Sequence, residues 1–216
     1  MQYYPICLNI TNKRCIVVGG GEVGARKAEG LLICGAKVTV ISPNLSPLLV
    51  ALKRQGGISH IAADYDAAYL EGAFLVMGAT DSEAVNDRIA KDARARGILV
   101  NIADDPQRCD FMLPAVVRRG DLLAAVSTGG KSPALAKKLK KDLLALFGPE
   151  YAVLLDIMGD LRRQRLARPI PAAENKEIFT ALIESDILRH IREGDKKALR
   201  ECLRQIAGAD VEISSI

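Results

Sequence analysis

The feature that most constrains this 216-residue chain is a run of glycines at residues 19–24. Gly19-Gly20-Gly21-Glu22-Val23-Gly24 spells G-x-G-x-x-G, with Gly19, Gly21 and Gly24 in the three glycine positions. It follows Lys13-Arg14-Cys15-Ile16-Val17-Val18, which reads as a buried strand. It opens a helical stretch from Glu22 to Cys34, with Val23, Lys27 and Leu31 on related faces and Gly35 as the stop. Each glycine has a mechanical reason. The first permits a tight turn, the second lets the backbone approach a pyrophosphate, and the third lets the helix pack against the strand. The helix N-terminus adds free N–H groups and a partial positive charge for phosphates. Gly19, Gly21, Glu22, Val23 and Gly24 are therefore the candidate cofactor-binding loop; a glycine turn that carries no ligand is the plainer alternative.

The next eighty residues repeat the alternation. Lys37–Ile41 reads as a second strand, Ser46-Pro47 as the cap of a helix to about Gln55, and Ile58–Ala62 as a third strand. Ala73–Met77 is a fourth strand, Asp81–Arg96 a helix, and Ile98–Ile102 a fifth strand. Nearly all-apolar strands separated by helices imply a parallel sheet covered on both faces: a doubly wound, Rossmann-like α/β domain. An acidic residue at the end of the second strand normally takes the ribose hydroxyls of NAD. Ser42-Pro43-Asn44 stands there instead, with Ser42 or Asn44 able to bond a ribose and no Arg directly after to hold a 2′-phosphate, which favours NAD. Thr80, after the fourth strand, either borders the cofactor or caps the helix, as Asp81 does equally well. The fifth strand runs into Asp104-Asp105-Pro106. Chemistry in such sheets collects beyond the strand ends, and adjacent carboxylates point to different sides, so one of the two at most faces the cofactor. An Asp-Asp-Pro turn held by its own hydrogen bonds is the competing reading.

Beyond Pro106 the pattern changes. Phe111–Val117 and Leu122–Ser127 read as strands of a hairpin joined by Arg118-Arg119-Gly120-Asp121, and Ser132-Pro133 opens a helix. From there to about Ile206 the chain reads as helix, broken at Gly148-Pro149, Pro169–Pro171 and Gly194. Charge is concentrated here: residues 106–170 hold twelve Lys and Arg against six Asp and Glu, whereas residues 1–105 are balanced. Such a patch suits an anionic partner. Aromatics are 4% and Trp is absent, so the stacking platform of a single-strand nucleic-acid binder is missing. No apolar run reaches the roughly 18–20 residues of a membrane span, and the N-terminus lacks the pattern of a secretory signal. Five scattered cysteines without C-x-x-C, and two distant histidines, point away from a disulfide framework or a resident metal. The expectation is a cytoplasmic protein with no nucleic-acid or membrane partner.

Three blocks together carry a resemblance: Cys15–Ala28 around the glycine turn, Val100-Asn101-Ile102-Ala103-Asp104, and Ala125-Val126-Ser127-Thr128-Gly129-Gly130-Lys131-Ser132-Pro133-Ala134. The chain resembles the siroheme synthase family over essentially its whole length. Within that family it is similar to the precorrin-2 dehydrogenase and sirohydrochlorin ferrochelatase module, without the methyltransferase domain. The resemblance implies NAD-dependent oxidation of precorrin-2 to sirohydrochlorin, with insertion of Fe²⁺ or Co²⁺ in some members. It implies a homodimer through residues 114–147, between an NAD-binding domain (1–113) and a helical C-terminal domain (148–216). It aligns Asp104 with the catalytic aspartate and puts Thr128 in the Ser-[Ser/Thr]-Gly-Gly block. Precorrin-2 is a polycarboxylate, so Arg118, Lys131 and Lys137 join Thr128 as candidate substrate-binding residues. A dimeric NAD-sensing domain without catalysis is the alternative; it accounts for the glycine turn and helices but not for the Ser127–Ala134 block.

Overall fold

In the computed structural model, which describes residues 3–166 and 171–208, parallel pairing organises the first half of the chain. Strands β1 (Arg14–Val18), β2 (Lys37–Ile41), β3 (Ile58–Ile61), β4 (Leu75–Gly78) and β5 (Leu99–Ile102) form one sheet in the order β3-β2-β1-β4-β5. Alternate residues of a strand point to opposite faces, and here both faces are apolar. Cys15, Val17, Val38, Val40, Leu75 and Met77 pack against helices α1 (Glu22–Ile33) and α2 (Pro47–Arg54). Ile16, Val18, Ile41, Val76, Val100 and Ile102 pack on the opposite face, with α3 (Glu83–Ala95). This is the doubly wound sheet expected from the sequence, and it forms a unit that ends at Leu113.

Several local readings change. β4 begins at Leu75 because the Ala73 N–H bonds back to the Leu70 carbonyl, closing a 3₁₀ turn at Ala67–Leu70 too short to leave a periodic signal. Helix α3 is capped by neither Thr80 nor Asp81 but by Ser82, whose hydroxyl accepts from the Val85 N–H. Ser46 precedes α2 as expected, yet its hydroxyl caps nothing and is buried without a hydrogen-bond partner. Its N–H instead donates to the Gly20 carbonyl at 2.7 Å, tying the entry of α2 to the glycine loop. The open edge of β5 is covered by Asp110, whose N–H donates to the Val100 carbonyl and whose carboxylate accepts from the Val100 N–H. An edge closed in this way offers no template for further strand pairing.

The second unit starts at Pro114. Strands β6 (Ala115–Arg119) and β7 (Leu122–Val126) form an antiparallel hairpin. The first strand starts four residues later than the sequence pattern suggests, after Pro114, whose missing N–H cannot join a ladder. Both arginines stay in β6, since Arg119 pairs with Leu122 and the turn is the two residues Gly120-Asp121. Helix α4 (Pro133–Leu146) is capped by Ser132, as expected. Arg119 reaches across to the carbonyls of Leu144 and Phe147, satisfying acceptors at its C-terminal end. None of the residues of α4 is buried, and Leu135, Leu139 and Leu146 stand exposed on it.

Helices α5 (Glu150–Leu166), α6 (Ala172–Glu184), α7 (Ile187–Glu193) and α8 (Lys196–Ala207) enclose Leu154, Ile157, Leu161, Leu182, Ile187, Leu199 and Leu203. The breaks at Gly148-Pro149 and Gly194 stand where the glycines and proline place them. The break between α6 and α7 at Ser185-Asp186 carries no glycine or proline; the Ser185 hydroxyl makes it by donating to the Leu182 carbonyl and accepting from the Ile187 N–H. Most of the expected Pro169–Pro171 break lies outside the described residues.

Glu150 opens α5 with its side chain only 5% exposed, paired to Arg192 of α7 at 2.6 Å. The Arg192 hydrogen bonds hold its carboxyl below the ordinary carboxylate range. A depressed carboxyl contributes stability that is present above its unfolded-state value and lost as pH falls through the folded one. Glu150→Gln is therefore expected to flatten the loss of stability of the second unit below about pH 4, read by urea unfolding of parent and variant across pH 3–6.

Candidate active site

The parallel register aligns three strand ends. Val18 pairs with Gly78 and Gly78 with Ile102, so Gly19, Ala79 and Ala103 leave the sheet side by side. With about 4.8 Å between neighbouring strands, β1 and β5 end about 10 Å apart. Backbone bonds continue the row past the strands: the Ala79 N–H donates to the Val18 carbonyl and the Ala103 N–H to the Gly78 carbonyl. The strand order reverses direction between β1 and β4, the position at which open α/β sheets form a ligand crevice.

The glycine loop occupies the β1 end of this row. Gly19 has φ +119°, and a Cβ there would overlap the Ala79 carbonyl. A Cβ on Gly24 would overlap the Gly19 carbonyl, which is the close helix–strand contact the motif requires. Gly20 stands at a variable position of the motif but is equally constrained, because a Cβ would overlap the Asn44 carbonyl. Gly21 differs from all three. Nothing lies within 4 Å of where its Cβ would be. It is the N-cap of α1 and its side makes no cap bond, so the first-turn N–H groups of Glu22, Val23 and Gly24 line an open cradle. A dinucleotide pyrophosphate fits these residues.

Ser42, Pro43 and Asn44 end β2 beside that loop. The Ser42 carbonyl is bonded to His60 Nε2 at 2.9 Å, and His60 Nδ1 lies 3.2 Å from Lys53 Nζ. This brace from β3 has no motif and was not visible in the sequence. Thr80 makes a local turn: its hydroxyl accepts from the Ser82 N–H and its carbonyl accepts from Asn86. Gly78 owes its size to packing, since a Cβ would press on Ile102 Cδ1 at 2.6 Å.

The two adjacent aspartates separate by role. Asp105 is the turn-former: its carboxylate accepts from the N–H groups of Gln107 and Arg108, opening a 3₁₀ turn at Pro106–Arg108, and pairs with the Arg108 guanidinium. Arg108 also reaches Glu83 at 3.2 Å and Asp87 at 3.4 Å on α3. Asp104 is exposed and has φ +59°, a left-handed conformation that few residues besides glycine, asparagine and aspartate adopt. It crowns a turn from Ile102 to Asp105 whose third position requires positive φ. Beneath that turn lie Lys27, Asn101 and Cys109, in one hydrogen-bonded cluster. Burial raises the Cys109 thiol and lowers Lys27; the ammonium and the Cys109 thiolate favour each other's charged forms, and the Asp104 carboxylate likewise favours the ammonium.

The remaining candidates belong to the second unit. Thr128 and Lys131 share the loop from β7 to α4, in which Gly129 and Gly130 have φ +60° and +81°. The Thr128 hydroxyl donates to the Ser132 carbonyl and accepts from the Ser132 N–H. Arg118 lies on β6 and Lys137 on α4, both exposed. Lys138, next to Lys137, pairs with Asp142 on the surface at 2.6 Å. Among the described residues no three His, Cys, Asp or Glu side chains gather as a metal site.

Comparison with known proteins agrees with this division. A family model described as "Putative NAD(P)-binding" matches residues 6–115, and one described as "Sirohaem biosynthesis protein central" matches residues 119–146. Siroheme synthase 1 of Aeromonas salmonicida is 39% identical over 93% of this chain and 43% of its own length. The siroheme synthase of Methylobacillus flagellatus is 34% identical over 99% of the chain and 46% of its own length. The chain thus spans less than half the length of these relatives. A solved structure titled SirC, precorrin-2 dehydrogenase, superposes with a TM-score of 0.78 at 26% identity, covering 96% of this chain and all of that one. With the NAD(P)-binding model over half of its residues and the sirohaem central model directly after, the chain belongs to the siroheme synthase family.

Proposed function

We propose that this chain oxidises precorrin-2 to sirohydrochlorin with NAD, in the cytoplasm, as a homodimer. The observation that carries the reading is the row of strand ends: an open glycine cradle at β1 and an exposed, left-handed Asp104 at β5, about 10 Å apart on one edge. The likeness to a precorrin-2 dehydrogenase over 96% of the chain supports it. Extending conjugation around the macrocycle removes one hydride and one proton. Bound NAD supplies the hydride acceptor. Gly21 and the N–H groups of Glu22, Val23 and Gly24 hold the pyrophosphate, Ser42, Pro43 and Asn44 border the adenosine end, and Thr80, after β4 on the side toward Asp104, borders the cofactor there. Asp104 takes the ring proton, a role suited to a carboxylate that Asp105 leaves free of turn-forming bonds.

Arg118, Lys131 and Lys137, with Thr128, are the groups we assign to the substrate carboxylates. Sheltered charge-assisted bonds of that kind contribute about 1.5–3 kcal/mol each. The dimer is supported by α4, a helix with leucines at 135, 139 and 146 exposed and no buried residue; a second copy covers that face in our reading. Fe²⁺ or Co²⁺ would enter as a substrate, with Asp104 again accepting the pyrrole protons. None of the five cysteines, all among the described residues, forms a disulfide, which suits a reducing compartment.

Substitutions in each part of the site test this reading. Asp104→Asn keeps a residue tolerated at positive φ, so NAD affinity and fold should persist while sirohydrochlorin formation, followed by absorbance, falls about 100-fold or more; parental turnover would remove Asp104 from the mechanism. Asp104→Gly should lose activity likewise but gain up to about 1 kcal/mol in urea unfolding, from relieved backbone strain. Gly21→Ala should weaken NAD binding about tenfold or more in calorimetry at unchanged stability, whereas Gly24→Ala should cost about 1–3 kcal/mol of stability. For the assembly, Leu135→Glu with Leu139→Glu should convert a dimer to a monomer by light scattering; a monomeric parent would refute the dimer.

A further inference from the structure

We propose that Lys27 is a positioning residue for Asp104: acting through Asn101 and Cys109, it locks the turn at the end of β5 that presents the Asp104 carboxylate. The assignment rests on the reaction proposed above.

Lys27 sits on the sheet-facing side of α1, one turn beyond Gly24. Its neighbours on that face, Ala25, Ala28 and Leu31, are buried and apolar, so packing alone would place an apolar residue here. Instead the ammonium donates to Asn101 Oδ1 at 2.7 Å. Asn101 is 7% exposed on β5. Its amide nitrogen donates to the Phe111 carbonyl at 3.0 Å and to Cys109 Sγ at 3.4 Å. All of its hydrogen-bonding edges are thus directed, and the lysine is what sets which way the amide faces.

The sulfur carries the constraint into the turn. Cys109 Sγ accepts from the Ile102 N–H at 3.1 Å and faces the carbonyls of Asp105 at 3.1 Å and Ile102 at 3.3 Å. It therefore holds both ends of the segment whose crown is Asp104. The crown has φ +59°, a conformation that needs its surroundings to enforce it. Burying an ammonium is costly, and Lys27 responds in the expected direction, with burial lowering it and Cys109 and Asp104 favouring its charged form. A buried polar network in which every member is partnered is rigid. This one links the helix that begins at the glycine cradle to the turn that carries the carboxylate, so both halves of the site keep one spacing.

The test uses Lys27→Met, similar in length and apolar, and Lys27→Arg, which keeps the charge. Turnover and KM for precorrin-2, NAD affinity, and the alkylation rate of Cys109 resolved by peptide mapping are measured on each. In Lys27→Met, kcat should fall about tenfold or more while the Kd for NAD stays within about twofold. Cys109, no longer held by an oriented Asn101, should alkylate about tenfold faster or more when rates are compared at equal thiolate fraction, because losing the Lys27 cation by itself disfavours the thiolate. Lys27→Arg should recover most of the turnover and the protection of Cys109. Parental turnover in Lys27→Met, unchanged alkylation of Cys109, or a loss of NAD affinity equal to the loss of turnover would each overturn the assignment. Should Lys27→Met fail to fold, Cys109→Ala breaks the far end of the same chain, and undiminished turnover there overturns it as well. If the parent itself leaves precorrin-2 unchanged, the reaction is wrong, and the alkylation rates alone still decide whether Lys27 holds the turn.

Discussion

The structure of the first unit depends on the parallel ladder through β1, β4 and β5. Because Val18, Gly78 and Ile102 stand in register, the segments that follow them emerge as neighbours although they are some sixty and eighty residues apart in sequence. A displacement of one residue in either pairing would exchange the two apolar sets of a strand between faces packed by different helices. Core packing on both sides of the sheet thereby enforces the alignment of the site. The same ladder explains the small residues at its end. Gly19, Gly24 and Gly78 are each pressed by a neighbouring carbonyl or side chain, while Gly21 alone opens outward.

At the β5 end, two like residues meet different fates through local hydrogen bonding. Asp105 is consumed by the N–H groups of Gln107 and Arg108 and by the Arg108 guanidinium. That leaves Asp104 at a left-handed crown with its carboxylate exposed. The turn is carried on an anchored base: Asp110 closes the edge of β5, and the Lys27–Asn101–Cys109 chain fills the space beneath. A residue held in an unfavourable conformation by a fully bonded surround has the character of a functional position rather than a folding necessity.

The second unit shows the reverse balance. Its helices α5 to α8 enclose a continuous apolar core, and the Glu150–Arg192 pair joins two of them. The hairpin and α4, by contrast, are secured chiefly by main-chain bonds and caps: Arg119 on the carbonyls of Leu144 and Phe147, and Ser132 and Thr128 at the start of the helix. A two-stranded hairpin is marginal alone, and the leucines of α4 stand exposed beside it.

By itself the sequence determined the elements. Apolar runs of strand length, helical spacing, and glycine or proline at the stops fix β1 to β5 and α1 to α4 to within about two residues, since these are local properties of the backbone. It also determined the glycine cradle, whose motif is contiguous, and the family, whose three blocks are recognisable without coordinates. What it left open were choices among neighbours. Whether Ser82 or Thr80 caps α3, where β6 begins, and which aspartate is free are each decided by hydrogen bonds between residues that local preference treats alike. Tertiary structure alone decided that Gly20 is as constrained as the motif glycines, because its obstacle is the Asn44 carbonyl. It alone brought Lys27 to Asn101 across 74 positions of sequence. No spacing rule reports such a pair, for its members meet only once α1 has folded back over the sheet.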